Sequence, residues 1–243
     1  MIIVDEFNPT SAYCSANLTA NGIKNYKSIQ MRTNQKLLLS IVFITIVLKT
    51  SMAQTIADAL KHGSPMTFFG VDYSRCKGVA LGVGTAEMRD KVFPAINMLL
   101  VVEQDKYDVK KALMKSEVII DLNDVNRINS TLVASNFAYY SSIDFKPFVK
   151  DTIIKMIQLY DLKDKTGIGL VFIAEYLDKP GTTAVYDLVY FSMPGGNVIL
   201  WEREFGTPKG FGMRNYWAST IYEILKSDLQ QKLEMKYLPK KKK

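Results

Sequence analysis

The chain has 243 residues, 48% hydrophobic and 11% aromatic, a composition that excludes a disordered or low-complexity protein. Its net charge of +7 does not belong to the body: the excess sits in the first 53 residues and in Lys240–Lys243, so no specific nucleic-acid surface is indicated. With His62 the one histidine and Cys76 the one cysteine after Cys14, residues 54–243 offer neither an internal disulfide nor a Cys/His zinc set.

Met31 to Gln54, "MRTNQKLLLSIVFITIVLKTSMAQ", has the form of an export signal. Arg32 and Lys36 make a positive head, Leu37–Leu48 is apolar except for Ser40 and Thr45, and Ser51-Met52-Ala53 places small residues where a signal peptidase reads. The apolar run is about half the ~20 residues needed to cross a bilayer. The expectation is a signal peptide at 31–53 cleaved after Ala53, with residues 1–30 either upstream translation or a disordered extension. A buried core segment, a short uncleaved anchor and a genuine cytoplasmic extension are the alternatives. Residues 54–243 are then read as one domain with a basic tail at 240–243 that touches anionic surfaces weakly.

Pro65–Ser74 is β-branched and aromatic in its middle and reads as a first strand, followed by a loop with Gly78, Gly82 and Gly84. A helical pattern starts at Thr85 or Glu87 and runs to about Gln104. Pro94 either lies in its first turn or kinks it. A short amphipathic helix is expected at Tyr107–Met114 and a second strand at Ser116–Leu122. Residues 123–142 read as a helical turn and surface segment, after which Ser141 or Ser142 caps a helix carrying the stripe Val149, Ile153, Ile157 and Tyr160. Thr166–Leu177, "AVYDLVYFSM" and Val198–Phe205 are three more strands, the last two joined by a hairpin at Pro194–Asn197. Trp217, Ile221, Leu225, Leu229 and Leu233 recur at i+4 and predict one long final helix facing the sheet. The order implies an α/β fold of the α+β type. It has a single mixed five-stranded sheet with a C-terminal antiparallel meander and long helices packed mainly on one face.

The glycine loop matches neither a P-loop nor a dinucleotide fingerprint, since Gly84 is followed by Thr85-Ala86 and Gly82-Val83-Gly84 by no third glycine in register. No cofactor is indicated. His62, ahead of the first strand, is poorly placed for a general base. Asp72, Asp121, Glu175, Glu202 and Glu204 lie on or near strands and read as a solvated face, with Glu202 and Glu204 on one side and Arg203 on the other. Cys76 reads as a non-core residue whose replacement by Ser costs under about 1 kcal/mol. The candidate anion or ligand site is Lys209, Gly210, Gly212, Arg214 and Asn215. There two cations meet the electropositive end of the last helix, two glycines permit close approach, and Asn215 stands as a cap.

The stretches "GIGLVFIAEYLDK", "AVYDLVYFSMPGGNVILWERE" and "GFGMRNYWASTIYEILKSDL" resemble uncharacterised secreted proteins of Bacteroidetes. The strand–helix order is loosely similar to that of the N-terminal domain of the translocation protein TolB. The expectation is an exported, periplasmic or outer-envelope protein without enzymatic activity, whose domain binds another envelope protein or helps an assembly. A small-anion-binding protein using 209–215 and a metal-independent hydrolase using carboxylates are the alternatives.

Overall fold

The computed structural model describes residues 53–139, 141 and 145–239. The export signal, apart from Ala53, and the basic tail lie outside these residues. Among the described residues no helix is long and apolar enough to cross a membrane.

The fold is built on β5 (Gly167–Asp178), which is buried from Ile168 to its end. Its side chains are apolar on both faces, with Leu170 and Phe172 on one and Val171 and Ile173 on the other. A strand of this kind is stable only between two covering layers. β6 (Thr183–Met193) runs antiparallel along its whole length, and β7 (Val198–Gly206) runs antiparallel to β6. On the other flank β5 pairs in parallel first with β1 (Pro65–Asp72) and then with β2 (Lys77–Val79). These two short strands therefore share one lane. β3 (Glu117–Ile120) lies parallel outside β1, and β4 (Ala138–Tyr139) parallel outside β2.

The sheet is mostly parallel and has seven strands, not the five read from the sequence. The two additional strands are too short to show a period, and one of them lies in the glycine loop. They fill gaps in lanes, so seven strands occupy five lanes. Helices cover both faces, which corrects the expectation of a mainly one-sided layer. One face packs against α3 (Phe93–Val102), α8 (Met213–Lys226) and α9 (Leu229–Tyr237) through Phe93, Ile96, Trp217, Ile221 and Leu233. The other packs against α5 (Asn123–Asn129) and α7 (Lys150–Ile157) through Val125, Ile128, Ile153 and Ile157. Shorter helices among the described residues include α1 (Ile56–Ala59), α4 (Val109–Ala112) and α6 (Ala134–Phe137).

Several boundaries differ from the sequence reading for local reasons. Helix α2 (Thr85–Glu87) passes into a π-helical turn at Met88–Val92 before α3 begins. Pro94 has no N–H to return to the carbonyl four residues back, and the wider turn accommodates it. Ser141 does not cap α7, whose N-cap is Val149. Pro147 holds Lys146 away from helical backbone, so the segment 145–149 stays extended. Ser142 lies outside the described residues. The long final helix is two helices, broken at Asp228, which adopts a left-handed conformation (φ 54°). The i+4 stripe continues across the break, so Leu229 and Leu233 remain buried.

The outer lane has a gap between Ile120 and Ala138, and two side-chain amides close it. Asn97 of α3 accepts the Val71 N–H (2.8 Å) and donates to the Val71 carbonyl (3.0 Å). Asn129 of α5 donates to the same carbonyl (3.0 Å) and accepts the Tyr73 N–H (2.6 Å). β1 carries one extra residue between Phe68 and Val71. Gly70, at φ +81°, makes that bulge, and a Cβ there would stand 2.5 Å from the Leu122 side chain and 2.9 Å from Asn97 Oδ1.

Lys115 fastens the first residues of the domain. Its ammonium, nearly excluded from solvent, donates to the carbonyls of Ala59 (2.7 Å) and Lys61 (2.9 Å) and to Ser64 Oγ (3.3 Å). Burial lowers its pKa to about 8, and Glu234 pulls the other way.

Trp217 is fully buried in the first core. Trp217→Ala is expected to destabilise the domain by about 3–5 kcal/mol in chemical denaturation. Cys76 is also fully buried in that core, against the expectation of a non-core residue. Cys76→Ser therefore places a hydroxyl among apolar atoms, and a loss of about 1–3 kcal/mol is expected in the same assay.

Candidate functional site

Residues 209–215 lie at and just before the start of α8. Lys209 Nζ pairs with Glu223 Oε1 at 2.5 Å, and its backbone N–H donates to Ser219 Oγ at 2.6 Å. Gly210 and Gly212 do have positive φ, 104° and 78°, and Gly212 occupies the N-cap of α8. No side chain caps the helix there. Asn215 lies inside its first turn, where its Oδ1 accepts from Arg214 Nε at 3.1 Å. The positive charge of Lys209 is thus spent on a carboxylate of its own helix partner. The glycine loop at 78–84 leads through α2 and the π-helical turn into α3, and no side chain caps the run at Gly84. His62 pairs with Glu234 at the surface.

The strand carboxylates are not a solvated face. Asp72, Glu175 and a third acid, Asp187, are all fully buried. Asp72 Oδ1 accepts the Ser74 N–H (2.8 Å) and Oδ2 accepts the Tyr160 hydroxyl (2.9 Å). Burial raises its pKa, and the Ser74 and Tyr160 hydrogen bonds pull against it. Asp187 stands directly across the β6–β7 ladder from Arg203. Its Oδ1 accepts Trp201 Nε1–H at 2.7 Å and lies 3.5 Å from Arg203 Nε. Arg203 also donates to Glu175 Oε1 at 2.7 Å. One guanidinium therefore serves two buried carboxyls, and Glu175 Oε2 and Asp187 Oδ2 have no hydrogen-bond partner among the described residues. A proton supplies what the missing second cation would. Burial pushes Asp187 up to about 7, Trp201 opposes this, and the neighbouring Glu175 adds to it. Asp121 and Asp124 share Lys165, at 3.1 Å each, and Glu202 pairs with Lys236 at 2.7 Å.

The same cluster anchors the extended segment 145–149. Glu175 accepts the backbone N–H of Phe148, and Arg203 donates to its carbonyl at 3.5 Å. The Phe148 ring is thereby fixed as one wall of a groove that opens where β1 gives way to β2. The larger part of the groove, about 430 Å³, is lined by Ser74, Arg75 and Lys77 from the break in the lane, by residues of the α5–α6 connection, and by Leu159. The smaller part, about 180 Å³, is lined by Val79, Tyr139, Phe145, Lys146 and Tyr176 among others. Lys77 and Phe148 line both. The groove lies beyond the C-terminal end of β1 within the parallel half of the sheet, the side on which α/β sheets hold their ligands.

Three cations, Arg75, Lys77 and Lys146, stand on this groove, and none of its described lining residues is a carboxylate. Lys77 Nζ donates to the Asn136 carbonyl and sits 5.0 Å from the centre of the Tyr139 ring. Arg75 and Lys146 make no ion pair among the described residues. Sequence reasoning passed over these residues because Arg75 and Lys77 fall in an apparent loop and Lys146 in an apparent helix. The legible signal was "SRCKG", two cations directly after a buried strand. Among the described residues no three metal-binding side chains converge.

The buried acid pair gives a pH signature. The folded pKa of Asp187 is raised from 3.8 to about 7, so the folded state holds a proton that the unfolded chain has lost. The associated stability is complete below about 4 and is lost as pH rises through about 7. Asp187→Asn keeps an acceptor for Trp201 and turns a donor toward Glu175. Urea denaturation from pH 4 to 8 is expected to show parent stability falling relative to that of the variant across the window. Parallel curves would remove Asp187 as the titrating group.

In comparison with known proteins, no protein-family model matches the chain and no curated protein matches it.

Proposed function

We propose that the chain is an exported, non-enzymatic protein of the cell envelope, akin to the secreted Bacteroidetes proteins it resembles, and that it works by binding an anionic group in the groove at the β1–β2 break. The observation that carries the reading is a concave surface with Arg75, Lys77 and Lys146 on it and no carboxylate among its described lining residues. Charge of one sign on a walled surface concentrates ligands of the other sign. The anion-binding alternative thus moves from 209–215 to the opposite face of the sheet. The hydrolase alternative has less support, since Asp72, Glu175 and Asp187 are sealed from solvent and bound to Tyr160, Trp201 and Arg203.

A protein-interaction or assembly role is the second reading. It is favoured by β7, which among the described residues pairs with β6 alone and leaves Phe205 65% exposed near its end.

Two measurements test the proposal. Cells expressing the chain with its own leader are expected to yield envelope-fraction protein whose N-terminus is Gln54. Cytoplasmic protein beginning at Met1 or Met31 would overturn the export reading. In calorimetric titration, the exported protein is expected to bind small anions such as phosphate. Arg75→Glu combined with Lys77→Glu should abolish that binding, and Lys209→Glu should leave it intact. The reverse pattern would restore the site at 209–215.

A further inference from the structure

Resting on the proposal that the groove binds anions, we infer that its ligand is an aromatic organic anion: one planar ring in the small lobe, with its acid group beside Lys77. The two lobes differ in chemistry in a way that a simple inorganic ion does not use. The small lobe is walled by Tyr139, Phe145, Phe148 and Tyr176. Phe145 stacks on Tyr176, with ring centroids 4.4 Å apart and planes 29° apart, so this wall is pre-formed and a ligand need not assemble it. Its volume of about 180 Å³ suits a single ring, since an apolar cavity of about 150 Å³ takes up benzene. An inorganic anion placed there would lose water to aromatic carbon and gain one ammonium.

Two cations line that lobe, Lys77 and Lys146. Lys146 lines the small lobe only, and Lys77 stands at the junction with the large one. The position of the Lys77 ammonium near the Tyr139 ring shows that it already keeps company with a π face. Arg75 lines the large lobe only, makes no ion pair among the described residues, and carries a guanidinium fork suited to a carboxylate or phosphate. Asp72 feels the charge of Arg75 at a distance, its oxygens accept from Ser74 and Tyr160, and the two residues make no ion pair among the described residues. A ring in the small lobe therefore delivers an attached acid group to Lys77 and Arg75. The large lobe, about 430 Å³ and carrying Ser74, Thr131 and Asn136, accepts whatever polar substituent lies beyond.

Calorimetric titration of the exported protein with phenyl phosphate, inorganic phosphate and benzyl alcohol separates the contributions. Phenyl phosphate is expected to bind at least about tenfold more tightly than either of the others. Lys77→Gln should weaken phenyl phosphate about tenfold or more, and so should Tyr139→Ser, with thermal melts confirming that both variants fold. Lys209→Gln should change nothing. Equal affinity for phenyl phosphate and inorganic phosphate would overturn the ring lobe and leave the anion reading standing. Equal affinity for phenyl phosphate and benzyl alcohol would overturn the acid-group contact. Absence of binding by all three would remove this inference and the groove reading together.

Discussion

Asn97 and Asn129 reach in from opposite faces of the sheet and take the place of a missing strand. Without them the backbone of Val71 and Tyr73 would be buried with its N–H and carbonyl groups unpaired, at about 1–3 kcal/mol for each group. With them, β1 can leave its pairing with β3, bulge, and resume as β2 in the same lane. The rest of the molecule follows from this interruption. The chain between Asp72 and Lys77 is pushed out of the sheet, which is why Ser74 and Arg75 reach the surface beside a buried strand. The α5–α6 segment crosses the gap and becomes the far wall of the groove. The groove is the space left by a sheet that changes its outer strand midway.

Interior charge has been placed to hold irregular segments that secondary structure does not hold. Glu175 and Arg203 grip the backbone of Phe148, which belongs to no helix or strand. Lys115 grips the carbonyls of residues 59 and 61 ahead of β1. Tyr160 and Asp72 join the end of the α7 region to the end of β1. Each of these charges is costly to bury. Each is offset by backbone groups that would otherwise be orphans, so the irregular chain and the buried charge solve one problem together.

The sequence disclosed the long elements and missed the short ones. β5 and β6 were legible because a run of eleven or twelve mainly apolar residues has few other uses. β2 and β4 were not, because three and two residues carry no periodicity, and each depends on a partner far along the chain, β2 on the edge of β5 and β4 on β2. Pro147 was a legible stop signal that the apolar stripe obscured. The i+4 pattern of the last helices was true of the side chains and misleading about the backbone, since Asp228 breaks the helix without changing which face is buried. The acids of "FIAEYL" and "VYDLVYF" stood inside runs with no other polar residue except tyrosine, and that isolation was the mark of buried charge. What no local pattern revealed was pairing at a distance. Lys209 finds Glu223, and Arg203 finds Glu175 and Asp187, only once the sheet and helices are in place.

Cys76 sits at the re-entry of the broken lane, fully buried, with burial pushing its thiol well above the usual range. A thiol in that condition is neither reachable nor ionised while the lane is closed. A reagent reaches it only in molecules where the fold around it has opened, whether by parting of β2 from β5 or by unfolding of the whole domain. A small alkylating reagent therefore turns Cys76 into a clock: a thiol that stays silent in the closed molecule records how often the core behind the β1–β2 break comes undone.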